Sequence, residues 1–389
     1  MMPLDDVRIL DLSRLAPGPF CSMLLADLGA DVLVIEPPPD SKAGQGPNLG
    51  RGIEAYNALG RNKRSMILNL RDDDARGVFY TLVESADVVL EGFRPGVVQR
   101  LKVDYETLRE KNPRLVFCSL SGYGQTGPYA GMVGHDINYI SIGGALGMIG
   151  WPDQPPAIPM NVIADFAAGG LHAAYGILAA LHARERTGRG QFVDIAMSDG
   201  VLYLLASAVS GYYATGRAPE AGATVLNGSV PHYNVYQCGD GGWISLGSLE
   251  PHFWANLCRV MGREEFIAHQ YDAEKRDEIF AHFRQQFKTK TRDEWFEILK
   301  QTDICAAPVY SLGEALNDPH NLARNMVVEV EHPAVGKVKQ VGIATKLSDT
   351  PGAVRAPAPA PGQHTDEVLA SLGFDAERIS ALRDRGAVA

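Results

Sequence analysis

A chain of 389 residues with 46% hydrophobic and 21% charged residues reads as a soluble globular protein, long enough for two domains. Its formal charge of -10 excludes the broad basic surface that nucleic acid or an anionic membrane selects, so an anionic ligand requires a local cluster of bases. Five dispersed cysteines (Cys21, Cys118, Cys238, Cys258, Cys305) without a C-x-x-C predict reduced thiols in the cytoplasm, with no disulfide frame and no metal site.

The N-terminus carries acids where a signal peptide needs bases, and it enters a strand-like run at once. Residues 7–12 (VRILDL) predict a buried strand, 16–29 a helix opened by proline and closed by glycine, and 30–38 a second strand. Strands over 65–70, 87–93 and 114–122 follow, with helices over 73–85 and after Pro95. Short apolar strands separated by helices predict parallel βαβ units in a Rossmann-like sheet. The turn after the first strand reads SRLAPGPFC rather than G-x-G-x-x-G, so nothing supports NAD or FAD. A long helix is expected from about Asp165 to Arg186, and its apolar, small-residue part over 167–183 predicts a buried core helix rather than a membrane span. A strand over 191–197 and a helix over 200–216 come next. Residues 218–231 are turn-rich and predict a linker or mobile loop, and YNVYQCGDGGWISLGS predicts a hairpin. Helices over 251–262, 273–288 and 291–301 complete a smaller α+β domain; the Pro/Ala-rich tail begins extended and ends in helices. The expected division is a large domain of residues 1–200 with 331–389, a linker of 201–230 and a small domain of 231–330.

Four stretches set titratable groups among apolar residues and glycines: GHDINY (His135, Asp136), PMNVIADFAAGG (Asn161, Asp165), SLGSLEPHF (Glu250) and GSVPHYNVY (His232, Tyr233). Each has an ordinary structural role, with Asp136 or Asp165 as helix N-caps, Glu250 as a cap or solvated, His135 as a structural residue, His172 and His182 as core or rim residues of the long helix, and His232 as a loop residue of no consequence. Each also has a chemical role, as an acid or base at the mouth of a pocket. Asn161 is spaced to hydrogen-bond Asp165, and Ala167, Ala168, Gly169 and Gly170 are expected to leave room for a ligand. Arg51, Arg61, Lys63 and Arg64, with Arg94 in GFRPG, are expected at the carboxyl ends of parallel strands, where phosphates bind; a solvated charge run is the alternative.

Taken together and in this order, ILDLSRLAPGPFCSMLLADLGADVLVIEPP, RNKRSMILNL, ADVVLEGFRPGVVQRL, NPRLVFCSLSGYGQTGP, GHDINYIS, GILAALHARERTGRGQFVDIAMSDG and PAPGQHTDEVL resemble the family III CoA-transferase superfamily (CaiB/BaiF type) over nearly the whole chain. Within it, His135, Asn161 with Asp165, and Glu250 before Pro251 resemble the α-methylacyl-CoA racemases. Transferases of the family share Asp165 but generally lack the His of GHD, and the best-studied ones carry Gln in the first βα loop, where this chain has Ala16. One departure is Pro37, where a known racemase has Arg.

The resemblance implies an α/β fold with a Rossmann-like large domain and a smaller α+β domain, in an obligate homodimer of interlocked chains. His135 and Asp165 would come from one chain and Glu250 from the other. It implies an acyl-CoA substrate that brings coenzyme A with it, no further cofactor or metal, and neither nucleic acid nor membrane as partner. Arg61, Arg64, Arg94, Leu90, Gly92 and Tyr233 are the implied substrate contacts. The implied chemistry is epimerisation: His135, paired with Glu250, and Asp165 serve opposite faces of the α-carbon, and the Asp136 N–H holds the enolate oxygen. The alternatives are CoA transfer through an anhydride on Asp165, and acyl-CoA binding without turnover. Met148, Met160, Tyr129 and the 218–231 loop are candidates for the acyl surface.

Overall fold

The computed structural model describes residues 1–39 and 54–389; Arg51 of the expected basic cluster lies outside the described residues. Six parallel strands form the main sheet: β1 (Arg8–Asp11), β2 (Asp31–Glu36), β3 (Lys63–Ile67), β4 (Val88–Glu91), β5 (Val116–Ser121) and β6 (Phe192–Ala196), in the order β3-β2-β1-β4-β5-β6. The connecting helices are α1 (Pro17–Asp27), α2 (Asp73–Glu84), α3 (Val97–Leu101), α4 (Tyr105–Lys111), α5 (Asp136–Ile142) and α6 (His172–Thr187), and α7 (Met197–Leu204) follows β6. Every residue of β4 and β5 is buried, which is why these strands read as continuous apolar runs rather than alternating ones. Asp72 and Asp104 start α2 and α4 by accepting the N–H of Ala75 (2.9 Å) and Thr107 (3.2 Å). The core joins Leu10, Leu33, Met66 and Phe117 of the sheet to Phe79 of α2 and Leu369 of the tail.

The chain divides into two compact units. The first comprises Met1–Gly143, Met160–Leu204 and Pro319–Ala389, and the second Gly144–Pro159 and Leu205–Asp318. This differs from the expected division in three places. The expected linker of 201–230 is not separate, since 201–204 belong to the first unit and 205–230 to the second. Residues 144–159 go with the second unit, where Asn227 Nδ2 donates to Met148 O at 3.3 Å and Gly222 packs on Pro152. Their proline-rich run has no period to read. The return to the first unit begins at Pro319 rather than 331.

The long helix also starts differently. It opens with a π-helix, Val162–Leu171, which continues into α6. Among the described residues this is the one helical run long and apolar enough to cross a membrane. Ala168, Gly169 and Gly170 are buried and serve packing rather than ligand access. A Cβ on Gly170 would sit 2.7 Å from Pro17 O and 2.8 Å from the Phe20 ring, and one on Gly169 3.0 Å from Met197. Glycine there lets α1 and α7 close on the π-helix.

In the second unit α8 (Ala206–Thr215) precedes an antiparallel sheet of β7 (Tyr233–Gln237), β8 (Trp243–Gly247) and β9 (Ala306–Pro308). The expected hairpin turn closes with Cys238 N–H on Gly242 O at 2.8 Å. Helices α9 (Pro251–Val260), α10 (Arg276–Phe287) and α11 (Arg292–Leu299) cover the sheet around Trp254, Phe283, Phe287 and Trp295.

Candidate functional site

The carboxyl ends of β1 to β4 surround a cavity of about 720 Å³, where the strand order reverses. Open α/β sheets bind ligands at this position. Leu15, Pro37 and Val97 line it with four exposed arginines: Arg14 after β1, Arg71 after β3, Arg94 after β4 and Arg100 on α3. Gly92 and Arg94 of the expected contacts are here, and Leu90 is fully buried in β4 beneath them.

Arg61 and Arg64 are not. Arg61 is 1% exposed; its Nε and Nη2 donate to Asp27 at 3.0 and 2.5 Å, and Nη1 donates to Val341 O. Arg64 forks onto Asp31 at 2.7 and 3.0 Å. Arg61 precedes β3 and Arg64 is its second residue, so these bases fall at the amino end of the parallel sheet, opposite the cavity. Lys63 is buried, donating to Ser22 Oγ (2.7 Å) and Pro19 O (3.0 Å). Burial pulls its ammonium below the ordinary range, and Asp11 at 3.9 Å opposes that. Three of the five expected bases are therefore structural, and Arg14, Arg71 and Arg100 take their place. The signal for Arg14 and Arg71 was their position just past the apolar runs of β1 and β3.

The acid–base groups of the first unit come together at the start of two helices. His135 precedes α5 in extended conformation, with its N–H on Asn138 Oδ1 at 3.0 Å and its ring exposed. Asp136 is the first helical residue and not the cap. The residue is 4% exposed, and Oδ2 accepts the N–H groups of Ala164 (2.7 Å) and Asp165 (2.8 Å), while Oδ1 is buried without a partner among the described residues. This side-chain role was not legible in the sequence: the partners lie 28 and 29 residues on.

Asp165 is the fourth residue of the π-helix, so its carboxylate caps nothing. Asn161 Nδ2 donates to its Oδ2 at 3.0 Å, as the spacing predicts. Burial raises the Asp165 carboxyl above the usual value; the Asn161 bond opposes the rise, Asp136 adds to it, and His135 lowers it. The four residues thus share one electrostatic neighbourhood. Rare π-helical turns concentrate at functional sites, and a carboxyl with raised proton affinity suits proton transfer. Tyr139 of α5 is pushed up to about 12 by burial, and the charges of both Asp165 and Arg94 reach it.

In the second unit Glu250 stands before α9, exposed and without a capping bond from its side chain. Gln270 Nε2 fixes the loop by donating to Ser248 O (3.3 Å) and Leu249 O (2.8 Å). Tyr233 lines a separate cavity of about 550 Å³ with Trp151, Asn227 and Cys305. His232 is fully buried against Trp254 and Tyr271; burial holds its pKa down to about 4, so it packs as a neutral ring.

The sequence pattern of CoA-transferase family III matches residues 4–365. Human alpha-methylacyl-CoA racemase is 36% identical over 382 residues, covering 98% of this chain and 96% of that protein. The succinyl-CoA–D-citramalate CoA-transferase of Chloroflexus aurantiacus is 36% identical over 380 residues, covering 95% and 94%. The crystal structure of a CAIB/BAIF family protein from Brucella suis superposes with a TM-score of 0.82 at 28% identity, covering 95% of this chain and 99% of that one. With the parallel sheet, the cavity at its switch point and this match along the chain, the protein belongs to CoA-transferase family III, an enzyme family acting on acyl-CoA.

Proposed function

We propose that the enzyme is an α-methylacyl-CoA racemase, epimerising the 2-methyl centre of acyl-CoA thioesters by proton transfer through an enolate. The observation that carries this reading is the exposed imidazole of His135 in the electrostatic neighbourhood of Asp165. An aspartate alone serves CoA transfer as well, and relatives of both kinds are equally similar. A second base beside it is what epimerisation needs and transfer does not.

In this reading the cavity arginines take the phosphates of coenzyme A, which arrives as part of the substrate, and the reaction asks for no further cofactor. The thioester lowers the cost of removing the α-proton, because the carbanion delocalises onto the carbonyl oxygen. His135 serves one face and Asp165 the other. Asn161 orients Asp165 from the side, and Asp136 fixes its backbone. The first N–H groups of a helix have no partner within it, so the Asp136 N–H is available to the enolate oxygen.

Glu250, supplied by a second copy, would pair with His135 and raise its proton affinity. A homodimer also accounts for the apolar side chains left in water. Tyr203 is 75% exposed in α7, and α8 buries none of its residues, with Tyr213 81% exposed. Five free cysteines support a reducing, cytoplasmic setting.

His135→Ala and Asp165→Asn each remove one positioned acid or base. Epimerisation should fall by roughly 10²–10⁴-fold in either variant, with far-UV circular dichroism unchanged. A wild-type rate in either purified variant would remove that residue from the mechanism. For the transferase reading, hydroxylamine would trap an activated Asp165 once acyl-CoA is added.

A further inference from the structure

Glu91 ends β4 only 2% exposed, at the point where the chain turns into the cavity wall. Its Oε2 accepts the Phe93 N–H at 2.7 Å and so folds the turn that presents Gly92 and Arg94. Its Oε1 accepts the hydroxyl of Ser119 on β5, and Ser119 Oγ accepts Gln125 Nε2 at 2.8 Å. The Gln125 N–H donates in turn to Asp194 on β6 at 3.1 Å. A line of hydrogen bonds therefore crosses three adjacent strands, at residues paired in register, and reaches the 122–125 turn.

That turn is packed against the helix that His135 precedes. The Tyr123 ring meets Tyr139 edge-on at 5.1 Å, and a Cβ on Gly122 would lie 2.3 Å from the Tyr139 ring. The Tyr139 hydroxyl donates to Gly134 O, the carbonyl immediately before His135. One end of the path is thus the arginine-lined cavity, and the other is the backbone of the base.

We propose that Glu91, Ser119 and Gln125 are positioning residues that tie the coenzyme A cavity to the segment carrying His135, so that filling the cavity orders the base. The inference rests on coenzyme A binding in that cavity, and it holds for either racemase or transferase chemistry. Its logic is thermodynamic: a ligand that stiffens the 92–94 wall shifts whatever shares hydrogen bonds with that wall. It is also a use of binding energy from a non-reacting part of the substrate to set the reacting centre.

Amide hydrogen exchange with free coenzyme A as the probe tests this without turnover. In the wild type, coenzyme A should slow exchange in two segments, 92–101 at the cavity and 122–139 at the base. In Ser119→Ala and Gln125→Ala the protection of 92–101 should remain, and the ligand-dependent protection of 122–139 should fall by about 2- to 30-fold, the range of residue couplings between sites. In Glu91→Gln the amide oxygen can keep the Phe93 N–H while the amide NH2 donates to Ser119 Oγ, so the line of hydrogen bonds persists and the variant should retain wild-type behaviour. Gln125 is half-buried and its variant keeps the fold even if Ser119→Ala does not. A merely structural role would raise exchange of 122–139 equally with and without ligand. Protection of 122–139 that survives in both variants, or that is absent in the wild type while 92–101 is protected, overturns the coupling. No protection of 92–101 in the wild type would instead overturn the assignment of the cavity to coenzyme A.

Discussion

Glu91 keeps its proton to about pH 7, against 4.5 for an exposed glutamate, chiefly because burial penalises the charged form. Folding therefore favours the protonated carboxyl. Its contribution to stability is complete below about pH 4.5 and is lost as pH rises through about 7, a swing of about 3 kcal/mol. Glu91→Gln is neutral throughout and lacks that swing. Urea unfolding at pH 5 and pH 8 should show the variant gaining on the wild type at the higher pH; parallel pH dependences would contradict the buried, proton-bearing state. The cavity arginines make a different prediction. Arg71→Ala and Arg94→Ala should raise KM for an acyl-CoA with little change in kcat, because phosphate contacts are made equally in ground and transition states. Added salt should shrink the difference from wild type. A fall in kcat at constant KM would place these residues at the chemistry instead.

Among the elements, the π-helix has most influence on the site, since it carries Asn161 at its start and Asp165 within its first half. Gly170→Ala would drive a methyl into Pro17 O and the Phe20 ring. Overpacking of that kind costs about 1–3 kcal/mol, and a displaced π-helix should lower activity beyond the loss of stability, as thermal melts beside rate assays would show. Unchanged melting and rate would mean that α1 yields easily. This element also marks the limit of what was legible. The Asn161–Asp165 bond followed from spacing alone, because four residues is one turn in any helix near that pitch. The π geometry did not, since an apolar run over 162–187 has no period that separates π from α. The glycines looked like room for a ligand because a sequence shows a missing side chain and not the neighbour that fills its place. Arg61 and Arg64 failed for a different reason: they stand at the start of the third strand, and in a parallel sheet that places them at the amino end, away from the cavity, a consequence the expected strand over 65–70 already carried. A helix start in GHDINY and a strand end at EGFRPG were legible, the first from its position before a periodic run and the second from the apolar run of β4.

For the whole molecule, the parallel sheet with its cavity and the acid–base cluster belong to one unit, while Glu250 and Tyr233 belong to the other. The proposed dimer would bring Glu250 of one copy to His135 of the other. Sedimentation velocity should then give twice the chain mass, and Tyr203→Asp with Tyr213→Asp should weaken association and activity together. A fully active monomer would remove Glu250 from its assigned partner. The most direct measurement is incubation of one pure epimer of a 2-methylacyl-CoA with the wild-type enzyme in D₂O, without an acceptor acid. Racemase chemistry predicts deuterium at the α-carbon together with the opposite epimer. No exchange, followed by migration of coenzyme A once a free acid is added, would contradict it and assign the enzyme to CoA transfer.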